Sequence, residues 1–203
     1  MLFQVILLDL MNLTTILFLF TAYVLLIISG TMNLEREEKV KGSVAFIAIG
    51  TALIIYEMIR FPLYMLADDI LPSGLEEYYV ITFIIPNIIS LISFGLLIIV
   101  LGKINIDNQG KNLLISGILW SIYAVVMVII NIGAIIPFPG SPTLIIVIGI
   151  IGLVILAFMI ASRIFLLIYS IKIEETILLV SSILLLVSAV AYVIFDLILT
   201  FVP

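Results

Sequence analysis

The sequence contains no cysteine and no histidine, and only 21 of its 203 residues are Asp, Glu, Lys or Arg. Each shortage excludes a kind of chemistry. Without His or Cys the chain cannot itself supply histidine-ligated haem, a thiolate cluster, a His/Cys zinc site, a disulfide, or Ser-His or Cys-His nucleophilic catalysis. No cofactor or metal of these kinds is therefore expected, and redox centres would have to sit on partner chains. The missing thiols leave the redox compartment undetermined, because a thiol-free chain suits oxidising and reducing surroundings alike. Charge at 10% of residues excludes a water-soluble globule, whose surface takes about a quarter of its residues as charged ones. Basic residues are scarcest, eight against thirteen acidic, and no basic patch for nucleic acid is found. A phosphate-binding glycine loop, a dinucleotide fingerprint and an acidic metal cluster are absent as well.

What is abundant is apolar: 65% hydrophobic residues and a mean hydropathy of +1.49. Apolar runs of about 20 residues, the length an α-helix needs to cross a bilayer, occur six times, at about 11–32, 43–67, 78–102, 112–136, 143–171 and 176–202. The separators are turn-like: Glu35 to Lys41, Asp68-Asp69 with Pro72-Ser73-Gly74, Lys103 to Lys111, Pro137 to Pro142, and Lys172 to Glu175. None leaves room for a folded domain outside the membrane. The fold expected is all-α, a single polytopic bundle over 1–203 with six transmembrane helices as three consecutive hairpins.

Lys and Arg set the expected orientation, since short basic loops stay in the cytoplasm. Arg36, Lys39, Lys41, Lys103, Lys111 and Lys172 all fall in the first, third and fifth loops, and none falls in the other two or at the chain ends. Loops 33–42, 103–111 and 172–175 are thus expected in the cytoplasm, with both termini outside a cell membrane. The first ten residues lack the basic start and cleavage site of a removable signal peptide.

Ionisable groups inside the spans are costly, about 2.5–3.5 kcal/mol each at mid-bilayer. Glu57, Arg60 and Tyr64 share one face of the second span, and Ser188, Tyr192 and Asp196 share one of the sixth. Counting ~1.5 Å of rise per residue brings Arg60 and Asp196 to one level, with Asn87 and Asn131 close to it. Glu57, Arg60, Tyr64, Asn87, Asn131, Tyr192 and Asp196 therefore form one expected polar layer in the outer half. It serves either as a pocket for a solute, ion, lipid or quinone, or as an ion-pair layer that fixes helix packing. Arg163, ~13 Å from the cytoplasmic end of its span, is expected to run its stem along the helix and place its charge near the headgroups. Trp120, the only tryptophan, is expected to pack, and Pro62 and Pro86 to kink their helices. The pairs Ala48/Ala52, Gly117/Ser121 and Ala157/Ala161 mark candidate close helix contacts.

Three roles fit this pattern. The first is a non-catalytic subunit of a larger energy-transducing or translocating membrane assembly, surrounded by lipid and by other subunits or copies of itself. The second is a small-solute or ion-coupled transporter using Glu57, Arg60 and Asp196. The third is an intramembrane enzyme acting on lipid with a carboxylate as acid or base.

Overall fold

Long uninterrupted apolar stretches in a solvent that cannot satisfy backbone N–H and C=O groups leave helix as the self-sufficient choice for each segment. The computed structural model is accordingly all-helical. It describes the backbone of residues 2–34, 43–70, 84–106, 110–135 and 142–201, and the side chains of 13–34, 43–58, 84–106 apart from Pro86, 110–132 and 150–194. Among the described residues six helices follow in order: α1 (Leu2–Leu34), α2 (Val44–Ile70), α3, α4 (Lys111–Ile135), α5 (Pro142–Lys172) and α6 (Thr176–Phe201). Helix α3 is composite, with α-helix at Ile85–Ser90, a π-helical stretch at Leu91–Leu96 and α-helix again at Leu97–Ile104. Pro86 stands in the first turn of the α-helical part of α3, so the distortion of this helix lies further on, in the π-helical residues.

Five of the six contain stretches long and apolar enough to cross a membrane, namely Leu13–Leu34, Asn87–Ile104, Lys111–Ile132, Ile150–Lys172 and Thr176–Ile194. The described apolar part of α2, Val44–Met58, is shorter. Every helix turns large aliphatic side chains outward, among them Leu17, Met58, Ile92, Ile129, Val154 and Ile183. A surface of that kind suits a lipid bilayer, and the protein is a multi-pass membrane-embedded bundle.

Each helix packs against the next in sequence, and α6 returns to pack against α1, so the helices form a closed ring. Small residues set the distances. A Cβ on Gly50 would lie 2.6 Å from the carbonyl oxygen of Tyr23, and one on Gly117 would lie 2.7 Å from the backbone nitrogen of Ile99. Thus α1 meets α2, and α3 meets α4, backbone to backbone. Ser121 takes part in the second contact, opposite Gly95. The alanine pairs do not act in this way: Ala48 and Ala157 are exposed.

Buried hydroxyls tie the helices where lipid gives no hydrophobic drive for association. Ser162 on α5 donates to the carbonyl oxygen of Ser116 on α4 at 2.8 Å, and Ser181 on α6 donates to that of Ala22 on α1 at 2.9 Å. One end of the ring is pinned by the α5–α6 turn. There Glu174 takes a left-handed conformation, φ 55°, and Glu175 caps α6 by accepting from the N–H of Leu178. The same carboxylate accepts from Ser29 of α1 at 3.2 Å.

Candidate functional site: an axial cavity floored by a buried arginine

A ring of six helices has an axis, and side chains too small or too polar to fill it leave a cavity of about 200 Å³ there. All six helices contribute to its lining: Tyr23 from α1, Glu57 from α2, Asn87 and Ser90 from α3, Trp120 and Asn131 from α4, Arg163 from α5, and Ser188 and Tyr192 from α6. Helical rise, counted from the end that carries the α5–α6 turn, gives the cavity a direction. Trp120 and Arg163 each stand nine residues in from that end, or ~14 Å, and form the floor. Glu57 follows at ~20 Å, and Asn87 and Asn131 lie at ~26–30 Å. Tyr192, 41% exposed, stands beside this far end.

The floor is built around Arg163. Its guanidinium carbon lies 4.0 Å from the centroid of the Phe94 ring and 4.0 Å from that of Trp120. These rings pack on each other at 5.0 Å, and Tyr123 packs on Trp120 at the same distance. The indole is itself anchored, since Trp120 Nε1 donates to Ser90 Oγ at 2.9 Å. Arg163 therefore does not run its stem towards the end of the helix. It is 3% exposed and bends inward, because two aromatic rings, Phe94 on α3 and Trp120 on α4, offer their faces at its own depth. Trp120, expected as a packing residue, is the centre of this stack.

Energetics make the arrangement unusual. Each cation–π contact stabilises by about 0.5–2 kcal/mol, whereas taking a charged group out of water costs several kcal/mol even after relaxation. The Nη1 atom of Arg163 has no hydrogen-bond partner, and an orphan donor adds about 1–3 kcal/mol to that cost. The rings attract the charge but supply Nη1 with no acceptor.

Of the residues expected to form a polar layer, Glu57, Asn87, Asn131 and Tyr192 line this one cavity. Glu57 and Asn131 are each 8% exposed, so both are drawn inward. Asn131 spends one amide donor on the carbonyl oxygen of Met127 at 2.7 Å, and its side-chain carbonyl is an acceptor. The side chains of Arg60, Tyr64 and Asp196 lie outside the described residues, as does that of Pro62. Among the described residues the cation brought into the cavity is Arg163, which depth arithmetic alone had assigned to the membrane surface. A signal for it existed: the sole tryptophan and this arginine stand equally far from the same end of the bundle.

Among the described residues no cluster of acidic side chains could hold a metal ion. Among the described residues the lining instead combines one cation, one carboxyl group, amides, hydroxyls and aromatic walls. That set can bind and orient a small polar molecule with an apolar body. No protein-family model, curated protein or solved structure matches the chain.

Proposed function

We propose that the chain is a non-catalytic membrane carrier that holds one small molecule in its axial cavity. The observation that carries this reading is the unspent donor of a buried arginine beside a cavity lined from all six helices. A purely structural bundle gains nothing from such a group, since a packed apolar side chain there is cheaper. Two features of α3 favour movement of the ligand over static storage. The helix carries a π-helical stretch next to the cavity, a distortion found at functional sites. Among the described residues, α2 and α3 also make the sparsest contact of any adjacent pair in the ring.

A second reading keeps the same cavity but makes the chain a subunit of a larger energy-transducing or translocating assembly, with lipid or quinone as occupant. Outward aliphatic side chains on every helix favour it, because they suit a protein neighbour as well as lipid.

A thermal-stability screen in detergent tests the cavity. At least one small metabolite should raise Tm in the native chain and fail to do so in Ala189→Leu, which extends a branched side chain into the void. Equal responses of both proteins would remove the cavity as the site. Gentle extraction separates the two readings: a partner-free protein fits the carrier, and stoichiometric companions fit the subunit.

A further inference from the structure

We propose that the occupant of the axial cavity is a small monocarboxylate with a compact apolar body, its carboxylate accepting from Arg163. The inference rests on the reading of the cavity as a ligand site and names the chemistry of what binds there. Arginine cannot release its proton under ordinary conditions, so the floor of the cavity is a permanent cation. Phe94 and Trp120 lie against the guanidinium, 4.0 Å from each ring centroid. The two ring centroids are 5.0 Å apart and so crowd one side of the guanidinium. Arg163 lines the cavity, and its Nη1 is buried without a partner, so a ligand engages it as the side chain turns towards the cavity. A planar guanidinium edge matches the two oxygens of a carboxylate, which accept in parallel.

Walls and size restrict the rest of the molecule. Leu53 and Leu185 line the cavity level with its floor, each nine residues in from the same end, and Met159, Ala189, Tyr23 and Tyr123 line it above. A cavity of ~150 Å³ lined by aliphatic side chains accepts benzene. The 200 Å³ here has room for a ring and one carboxylate. Among the described lining residues Arg163 is the one cation, so it can neutralise one carboxylate, and a second buried negative charge on the ligand would be left unpaired at a cost of several kcal/mol. The selection is therefore for monoanions over dianions.

The probes are benzoate, octanoate, benzyl alcohol, benzylamine and phthalate, titrated into the purified full-length protein in detergent and read by calorimetry and by Tm. Benzoate should bind and raise Tm; benzyl alcohol and benzylamine, which lack the carboxylate, should bind at least about tenfold more weakly, as the loss of a charge-assisted hydrogen bond requires, and phthalate should bind more weakly than benzoate because its second carboxylate stays unpaired. Octanoate distinguishes the source of the carboxylate: tighter binding than benzoate would replace the compact body with an acyl chain and overturn that half of the proposal. Arg163→Gln should weaken benzoate at least about tenfold, and Ala189→Leu should abolish binding. The native protein's ranking of the probes needs no variant, so it stands even where a substitution impairs folding. Benzylamine or benzyl alcohol binding as well as benzoate, with loss in Ala189→Leu, would sink the carboxylate and leave the ligand site intact. No binding by any of the five would overturn both, and the cavity would then be a water-filled packing defect.

Discussion

At the scale of single residues the informative group is Arg163. Its burial, with Nη1 unpartnered, sets function against stability in one side chain. Replacing a buried charge with a well-packed apolar side chain is often neutral or stabilising by about 1–4 kcal/mol, whereas breaking a satisfied buried pair costs about 3–5 kcal/mol. Arg163→Met is therefore expected to leave Tm in detergent unchanged or raised while removing carboxylate binding. A large fall in Tm would show that the guanidinium is a structural tie. The sequence displayed this arginine but not its destination. Snorkelling follows when the only alternative is hydrocarbon, and the faces of Phe94 and Trp120 become available only when α3 and α4 come together. By contrast Glu57 and Asn131 declared themselves, because a carboxyl group or an amide deep in an apolar run has nowhere to go but inward.

Elements were legible wherever length and hydropathy decide, and less so wherever a local departure from α-geometry decides. Apolar runs bounded by charge and proline gave the helices, since lipid permits no other chain segment to stand alone. Small-residue pairs were a weaker guide. Spacing cannot say which face of a helix that is apolar all round meets a neighbour, and Ala157 proves to face outward while Gly117 meets the backbone of Ile99. A matched pair of substitutions measures the difference. Gly117→Ala must push α3 from α4 and is expected to cost about 1–3 kcal/mol, read as a lowered Tm. Ala157→Leu, on an exposed surface, should stay within about 0.5 kcal/mol of the native chain. Similar losses from both would mean that α5 packs on a further partner through Ala157.

For the whole molecule, closure of the ring places all six helices at once around the axis, and neither the cavity nor its floor belongs to any one of them. This is why the site was only half readable: depth along each helix follows from counting residues, but azimuth around the ring does not. Orientation across the membrane rests on the distribution of Lys and Arg and is open to direct measurement. The chain has no cysteine, so a single one introduced by Glu174→Cys, at an exposed position in the α5–α6 turn, reports without background. A membrane-impermeant maleimide is expected to label it in inside-out vesicles and not in intact cells. Labelling of intact cells would invert the assigned topology.

The π-helical stretch of α3 carries one more consequence. Such a stretch amounts to one residue inserted into an α-helix, and one residue is worth about 100° of rotation at 3.6 residues per turn. Asn87 and Ser90 stand before Leu91–Leu96, and the ring of Phe94 lies within it. The polar upper wall that α3 gives the cavity, and the aromatic surface it gives Arg163, thus share one helix through an offset in phase. Deleting a single residue such as Ile92 would restore a regular helix and swing Asn87 and Ser90 away from the axis without altering either side chain. The chemistry of the cavity wall is in this respect encoded in chain length as much as in residue type.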